Sequence, residues 1–448
     1  MKKTIGTIFL VLVICLLGVS AFVGFRLFEG SPPVIKPLEL PSIIGKKAVL
    51  GVQVSDDGSG LKEVSAEIVQ AGKHFPLGTR EFTVAPRWKG SEVKAIKLKW
   101  EIVPAKLGLS SADLEVRVTA HDASFRNGAK GNEAVLSIPL KVDFTPPVVT
   151  VLSTVHNIKV GGAGACSFTV SEKVVKAGVA VGDIFFNAVK GPDNIYRVLF
   201  ALPFNMDKPG SIVVKAWDIA GNEGTGGMAY RVFPRKKVRD TINITDRFLQ
   251  RKIPGFASSY PEIAAPSLLD TFLKVNSLLR EKNNKFLLSL CGLSAPEILW
   301  KGAFKRFPGA RKAGFADERH YFYKGKEIDQ AFHMGVDIAS TMHAPVPAAN
   351  AGKVVFCSDN GIYGNTVVID HGMGLMSLYA HLNQINVTKG EDVKKGQIIG
   401  RTDSTGLAGG DHLHFGMMLA GVFINPVEWW DARWIRDHIT YNLDTDGK

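Results

Sequence analysis

The chain has 448 residues, of which 46% are hydrophobic, with 46 glycines, 22 prolines and a formal net charge of +12. Its length predicts about three domains rather than one, and its hydrophobic content excludes a generally disordered protein. The positive charge is spread along the chain, which argues against a nucleic-acid-binding arm and is compatible with an anionic polymer or a membrane surface.

An apolar segment opens the chain. Lys2 and Lys3 precede an uncharged run from Thr4 to Phe25, and a helix of roughly 20 such residues spans a bilayer with its flanking lysines on the cytoplasmic side. The small residues Val19-Ser20-Ala21 would suit signal cleavage, but the apolar run continues past them, which favours a retained anchor. We therefore expect residues 1–29 to anchor the chain in the inner membrane with its bulk in the periplasm, or to release it if the signal is cleaved.

Residues 30–235 show a doubled β pattern. Short runs such as AVLGVQV alternate with turn-forming stretches such as SDDGSG, which is typical of antiparallel sandwiches. A Pro-Pro-Val opening and an Asp…Gly-Asn turn recur in residues 30–144 and 145–235, and both units resemble tandem immunoglobulin-like domains of bacterial surface proteins. We expect them to contact a protein partner. Asp122 and Asp218 in the recurring turns suit calcium or turn formation, and the turn interpretation is favoured.

Residues 236–299 change to a helical pattern. In PSLLDTFLKVNSLLREKNN the apolar residues follow a helical period after a proline and a serine, which predicts a helical linker. The stretch RHYFYKGKEIDQ then predicts a hairpin, and residues 300–437 return to strand-like runs between glycine turns. The predicted fold class is mostly β: a transmembrane helix, two β-sandwiches, a helical linker and an antiparallel β domain.

Histidines crowd into the last domain, where eight of the 11 lie at or beyond position 320. Such crowding favours a metal or proton-transfer site. Three motifs carry the relevant side chains: FHMGVD with His333 and Asp337, YAHL with His381, and GGDHLHFG with His412 and His414. Side chains alternate along a strand, so the last two histidines would share one face. Two imidazoles and a carboxylate are the ligand set of an open catalytic zinc site.

In this order the motifs resemble the lysostaphin-like zinc endopeptidases of the cell wall, as do APVPAANAGKVVF, GNTVVIDHG, VKKGQIIGRTDSTG and INPVEWW. The resemblance implies a duplicated hybrid motif of the barrel-sandwich type and a Zn²⁺ held by His333, Asp337 and His414. It also implies that His412 is the general base and that His381 orients the water or stabilises the tetrahedral intermediate. The implied reaction is hydrolysis of peptide cross-links in peptidoglycan, with a D-Ala to diamino-acid link and a glycine bridge both open.

Other polar residues of the domain receive weaker assignments. Tyr321 and Asp411 are expected to contact the substrate, and His320 to line the same groove. Asp411 lies in LAGGD, where the family commonly has a Ser-Thr-Gly-Pro run, so the departure bears on specificity. His343 and His371 are expected to be structural.

Two other functions compete with the enzyme. Some members of the family have lost ligands and activate other wall hydrolases, but all five central residues are retained here. Biotinyl and lipoyl carrier domains share similar hairpins, but they need a lysine at a hairpin tip rather than five zinc-site residues in order. The retained residues favour a zinc metalloendopeptidase.

Overall fold

The computed structural model describes residues 2–39, 41–84, 89–206 and 210–444. The chain divides into two compact units. The first comprises residues 1–146 with 217–223, and the second comprises residues 147–216 with 224–448. The predicted mostly-β class, with an apolar helix at the N-terminus and a β-rich domain at the C-terminus, is confirmed.

Helix α1, Lys2–Leu27, is the apolar segment at the start of the chain. Its stretch Gly6–Gly24 is long and apolar enough to cross a membrane, with a mean hydropathy of 2.7. A signal sequence near the N-terminus meets the same criteria of length and composition. Anchoring therefore stays a proposal.

The first unit holds a β-sandwich of a three-stranded sheet, ordered β1-β3-β6, and a five-stranded sheet, ordered β2-β8-β7-β4-β5. Its strands are β1 Val34–Glu39, β2 Ile43–Ile44, β3 Ala48–Ser55, β4 Leu61–Gln70, β5 Lys73–Glu81, β6 Ala95–Ile102, β7 Asp113–Asp122 and β8 Glu133–Val142, with the one-turn helices α2 Pro104–Leu107 and α3 Arg126–Ala129. Alternate residues of β4 and β7, such as Ile68 and Val116, face inward and are fully buried. This is the period of two that the sequence predicts.

The two recurring turns are built alike. In the first, Asp122 accepts hydrogen bonds from the backbone N–H of Asn132 at 2.8 Å and from its side-chain amide at 2.7 Å. In the second, Asp218 accepts from the backbone N–H of Asn222 at 2.8 Å and from its side-chain amide at 2.9 Å. Both carboxylates therefore close turns, as the favoured interpretation predicts.

A second sandwich begins at residue 149. Its sheets are ordered β14-β15-β11-β9 and β13-β12-β16-β17, with a separate parallel pair β10-β18. The strands are β9 Val149–Val151, β10 His156–Lys159, β11 Ala163–Val170, β12 Val174–Val181, β13 Ile184–Asn187, β14 Val189–Lys190, β15 Tyr196–Ala201, β16 Ile212–Asp218, β17 Glu223–Gly227 and β18 Tyr230–Phe233.

The second sandwich packs on the C-terminal domain within the second unit. The ring of Phe204 lies 6.0 Å from that of Phe315 and 5.0 Å from that of Phe332, measured between ring centroids. The backbone N–H of Asn425 also donates to the carbonyl of Gly161 at 2.8 Å. These apolar and polar contacts join the two β layers into one body.

The segment between the second sandwich and the last domain begins with a strand. Strand β19, Arg239–Ile244, pairs in parallel with the strand Glu318–Tyr323, which the helical prediction missed. Helices α4 Asp246–Ser259, α5 Leu268–Lys274 and α6 Arg280–Ser289 follow, and a π-helical turn, Val275–Leu279, joins the last two. Ser267 caps α5 by accepting from the backbone N–H of Asp270, so the predicted serine start is confirmed.

The last domain is formed by a hairpin and a ten-stranded sheet. Strands β21 and β22 form the predicted hairpin around Lys324 and Gly325, both at positive φ, and pair with β19. The sheet follows the order β20-β23-β30-β27-β26-β25-β28, with β24, β29 and β31 pairing alongside. The strands are β20 Ala310–Ala313, β21 Glu318–Tyr323, β22 Lys326–Phe332, β23 Val336–Ala339, β24 Pro345–Pro347, β25 Gly352–Asp359, β26 Asn365–Asp370, β27 Leu375–Ile385, β28 Asp392–Val393, β29 Ile398–Thr402, β30 Leu413–Leu419 and β31 Val422–Ile424, followed by the short helices α7 Ala432–Ile435 and α8 Tyr441–Leu443.

The cysteines are free thiols. Cys166 and Cys291 are buried, whereas Cys357 is only half-buried and Cys15 is exposed on α1. Burial raises the pKa of the Cys291 thiol to about 11. It is therefore an unreactive core residue near neutral pH.

Candidate active site

Three adjacent strands of the large sheet bring the predicted ligands together. Asp337 on β23 lies directly opposite His414 on β30, and Ala380 on β27 lies opposite His414 on the other side. His333 sits in the turn that leads from β22 into β23. Directly opposed residues of an antiparallel pair have their side chains close together. The register alone therefore brings His414 beside Asp337.

The three side chains converge on one point. His333 Nε2 lies 2.9 Å from Asp337 Oδ1 and 2.9 Å from His414 Nδ1, and His414 Nδ1 lies 2.9 Å from the same Asp337 oxygen. Two nitrogens and an oxygen in a tetrahedral zinc site, each at about 2.0–2.1 Å from the metal, are separated by roughly 3.3 Å. The donor set and its spacing therefore fit a zinc ion after small adjustments.

Hydrogen bonds fix which ring nitrogen of each histidine faces the site. The Nδ1–H groups of His333, His381 and His412 donate to the carbonyls of Gly314, Thr405 and Gly410, each at 2.8 Å. The Nε2 atom of each ring is then the one free to bind a metal or exchange a proton. That of His412 lies 3.5 Å from Asp337 Oδ1.

His381 has a strained backbone. Its φ is +63°, in the left-handed region that costs a residue with a side chain about 1–3 kcal/mol. The ring lies 4.9 Å from that of His412 and 5.8 Å from that of His414, between centroids. The strained conformation thus places the His381 ring against the other two histidines.

The second oxygen of Asp337 is held by Arg319. The guanidinium donates from Nη2 to Asp337 Oδ2 at 2.6 Å and lies 3.6 Å from Asp240. Burial opposes ionisation of Asp337, but the charge and hydrogen bond of His333, with hydrogen bonds from His412 and His414, hold its pKa well below the usual range. The Asp337 carboxylate is therefore ionised at any physiological pH.

The histidines differ in proton affinity. Burial opposes protonation of His412, but its hydrogen bond to Asp337 and the charge of that carboxylate raise its pKa above the ordinary value. Burial lowers the pKa of His414 to about 4, and burial with the charges of His412 and His414 lowers that of His381 well below its ordinary value. His414 is thus neutral, as a metal ligand must be, whereas His412 is suited to carry a proton.

Gly335, between the two ligands of FHMGVD, has no room for a side chain. A Cβ atom there would lie 2.6 Å from His414 Nε2 and 2.6 Å from the carbonyl oxygen of Phe415. Any larger residue would displace His414, one of the three predicted ligands. The close approach explains the glycine within the motif.

The histidines open into a cavity of about 260 Å³. The C-terminal domain provides one wall, with His333, His381, His412 and His414, and the segment from β19 to α6 provides the other. That second wall comprises Ile242, Asn243, Ile244, Phe248, Phe272 and Arg280.

Two of the three predicted groove residues lie away from this cavity. Tyr321 is buried and lines it, as expected. Asp411 instead accepts from the backbone N–H of His343 at 2.9 Å, and His320 lies 2.7 Å from Glu327. A substrate role for Asp411 or His320 therefore has no geometric support from the cavity lining.

His371 and His343 make structural contacts. Fully buried His371 lies 2.7 Å from both the carbonyl of Ala351 and the hydroxyl of Ser377. His343 lies 3.2 Å from the carbonyl of Thr402. Both arrangements agree with the structural roles predicted for them.

Arg319 and Tyr363 line the cavity but were not predicted from the sequence. Arg319 is two residues before Tyr321 on β21, so strand alternation could have placed both on the cavity side. The Tyr363 ring lies 5.4 Å from that of His414, but it belongs to a 3₁₀ turn. Such a turn gives no periodic signal.

Comparisons with known proteins match the C-terminal part of the chain. Residues 331–426 match the model of peptidase family M23. The chain is 40% identical over 95 residues to the DD-carboxypeptidase/endopeptidase Mpg of Neisseria meningitidis, covering 21% of this chain and 22% of that protein. It is 36% identical over 129 residues to the peptidoglycan DD-endopeptidase ShyA of Vibrio cholerae, covering 28% and 30%.

Among solved structures, the catalytic domain of lysostaphin from Staphylococcus simulans is 30% identical, with 27% of this chain and 92% of that domain covered, at a TM-score of 0.24. The chain spans less than a third of the length of these curated relatives. Its C-terminus nevertheless carries a peptidase M23 domain, of a metal-dependent family, and the predicted likeness to lysostaphin-like peptidases is confirmed there.

Proposed function

We propose that this chain, which carries a peptidase M23 domain, is a zinc-dependent endopeptidase that hydrolyses peptide cross-links of peptidoglycan. The main support is the convergence of His333, Asp337 and His414 within 2.9 Å of one another beside two further histidines. The name of the Vibrio cholerae relative, a peptidoglycan DD-endopeptidase, supports peptidoglycan as the substrate. A non-catalytic activator would not need this complete set.

The proposed metal ligands are His333 Nε2, Asp337 Oδ1 and His414 Nδ1. When bound there, Zn²⁺ supplies Lewis acidity, which polarises a substrate carbonyl and lowers the pKa of a water toward about 7. Asp337 stays in place through its second oxygen because Arg319 donates to it. His333 stays in its metal-binding tautomer because its other nitrogen donates to Gly314.

His412 is the proposed general base. Its Nε2 atom faces the ligand set, and its raised pKa suits a group that accepts a proton from the attacking water and then gives it to the leaving amine. Neutral His381 donates its Nδ1–H to Thr405, so its Nε2 atom is an acceptor and would orient the attacking water by accepting a hydrogen bond from it.

The protein is proposed to act in the cell envelope, anchored by α1 in the inner membrane with the remaining residues in the periplasm. The apolar stretch of α1 supports this location, as does the name of a relative that is a peptidoglycan DD-endopeptidase. The two sandwiches are proposed to bind a protein partner. Cleavage at a D-Ala to diamino-acid link is favoured over a glycine bridge because two relatives are named DD-endopeptidases.

The full chain in detergent, given cross-linked muropeptides, tests the proposal by mass spectrometry. We expect conversion of dimers to monomers, loss of activity with a zinc chelator, and recovery on adding zinc. His414→Ala should lose the metal, whereas His412→Ala should keep it and lose about 10²- to 10⁴-fold in turnover.

His74→Ala, which alters an exposed histidine of the first sandwich, is the control. It should change neither the metal content nor the turnover. Release of only glycan fragments or stem peptides would contradict an endopeptidase. Metal loss in both His412→Ala and His414→Ala would contradict the division of roles.

A further inference from the structure

The cavity contains two guanidinium groups with different surroundings. Arg319 lies within ion-pair distance of Asp337 and Asp240, so its charge is balanced. Arg280, at the start of α6, lines the same cavity from the opposite wall. Within the described ranges, no carboxylate lies within ion-pair distance of it.

Arg280 is held by neutral acceptors. Its Nε donates to the carbonyl of Asn276 at 3.0 Å, and its Nη2 donates to the Asn276 side chain at 2.6 Å and lies 3.4 Å from the hydroxyl of Tyr321. Buried Asn276 is itself fixed, because its amide donates to Asp329 at 2.8 Å. The guanidinium is therefore oriented before any ligand arrives, with a charge that remains to be neutralised.

Arg280 lines the same cavity as the candidate metal ligands His333 and His414. Helix α6 also binds the turn that carries Tyr363, since the Tyr363 hydroxyl donates to Asn284 at 2.7 Å and Asn283 accepts from the backbone of Ile362. The Tyr363 ring contacts His414. A substrate group bound at Arg280 would thus lie on the Tyr363 side of the ligand His414, within the same cavity.

We propose that Arg280 is a specificity-determining residue that binds a free carboxylate of the peptide next to the scissile bond. The proposal rests on the endopeptidase function proposed above and narrows its substrate class to peptides with such a carboxylate. A half-buried guanidinium with only neutral partners gains a charge-assisted bond when a carboxylate arrives. A glycine bridge offers no free carboxylate at this place, whereas a diamino acid that has a second carboxyl group does.

The carboxylate has two sources in such a peptide: the α-carboxylate of a terminal residue, or the free carboxylate of the diamino acid. Peptide cross-links in which one or the other is converted to an amide separate them. We expect the full-length protein to prefer the acid form over one of the two amides by about 10- to 100-fold in kcat/KM, mainly through KM.

Arg280→Gln should remove this preference by slowing cleavage of the acid peptide while leaving the amide nearly unchanged, and Arg280→Lys should restore part of it. Metal content and melting temperature show whether each variant is folded. Lys282→Gln, on the same helix but exposed and paired with Glu262, is the matched loss of charge and should keep the preference.

Equal rates for acid and amide peptides in the wild type, or an equal loss for both in Arg280→Gln, would overturn the proposal. Calorimetric measurement of the binding of the same peptides distinguishes a failure of the Arg280 proposal from a failure of the proposed endopeptidase function. Acid-selective binding that disappears in Arg280→Gln without any cleavage would support Arg280 and refute the endopeptidase. Absence of both binding and cleavage would count against both.

Discussion

Asp337 illustrates how one residue is used from two sides. Its Oδ1 atom faces the histidines and its Oδ2 atom accepts from Arg319. A carboxylate with a fixed second oxygen binds a metal without first losing rotational freedom. The buried guanidinium also neutralises the carboxylate before a metal arrives.

Replacing Arg319 by Gln should therefore weaken metal binding by about 10- to 100-fold, because Asp337 loses its charged partner. Competition against a fluorescent chelator measures the affinity directly and does not depend on turnover. Lys312→Gln, an exposed residue of β20, should leave the affinity unchanged. An unaltered affinity in Arg319→Gln would show that the contact does not position the ligand.

His371 makes stability depend on pH. Burial lowers its pKa to about 4 in the folded chain, from an ordinary value of 6.5. Since the unfolded chain binds the proton more readily, stability from this residue is complete above about pH 6.5 and falls as the pH drops toward 4. The loss amounts to roughly 3 kcal/mol by pH 4.

We expect urea unfolding of the wild type in excess chelator to show this loss between pH 7 and pH 4. His371→Gln cannot take up the proton and should show a flatter pH dependence over the same interval. The difference in unfolding free energy between the two proteins should shrink as the pH falls. A constant difference would mean that His371 is not buried in its neutral form.

At the scale of the secondary-structure elements, local patterns predicted more than long-range pairings. The α5 start at Ser267, the hairpin at Lys324–Gly325 and strands β25 to β27 follow from capping, turn residues and alternation, which act over a few residues. Strand β19 was missed because its partner β21 lies on the far side of three helices in the sequence. A parallel pairing of this kind leaves no local signal.

The residues of the candidate site likewise fall into those that local motifs predict and those that depend on long-range contacts. His333, Asp337, His381, His412 and His414 were predicted because short motifs carry them. Arg280 was not, because its role depends on which wall of the cavity α6 forms. Asp411 was expected at the substrate on the basis of its motif, but its side chain instead accepts a hydrogen bond from the backbone N–H of His343, a contact distant in sequence.

The contact between the second sandwich and the C-terminal domain contributes to the unfolding free energy, and this contribution can be tested. Phe204→Ala should lower the unfolding free energy by about 2 kcal/mol, because a half-buried aromatic side chain loses its contacts with Phe315 and Phe332. Chemical denaturation of the full chain measures this loss of unfolding free energy. Tyr230→Ala, an exposed aromatic of β18, should cost far less, and equal losses would contradict a packed junction.

For the whole molecule, the proposed membrane anchoring by α1 has a testable consequence. If α1 is a retained anchor, the full-length chain should sediment with membranes and resist extraction at alkaline pH. The double change Leu12→Arg and Leu16→Arg places charges near the middle of the apolar stretch, at a cost of about 2.5–3.5 kcal/mol each. This double change should prevent insertion of α1 into the membrane, or release the chain from it. A soluble wild-type protein with a shortened N-terminus would show instead that the signal is cleaved.

The parallel pairing of β19 with β21 affects when the cavity can form during folding. Strand β19 of one cavity wall is separated from its partner β21 by three helices, and Asp337 on β23 is distant in sequence from His414 on β30, so the site needs several long loops to close. Loop closure costs entropy before the contacts compensate for it, and such non-local structures form slowly. A partly folded chain therefore has every motif of the C-terminal domain, but it has no assembled cavity until β19 has paired with β21 and β23 with β30.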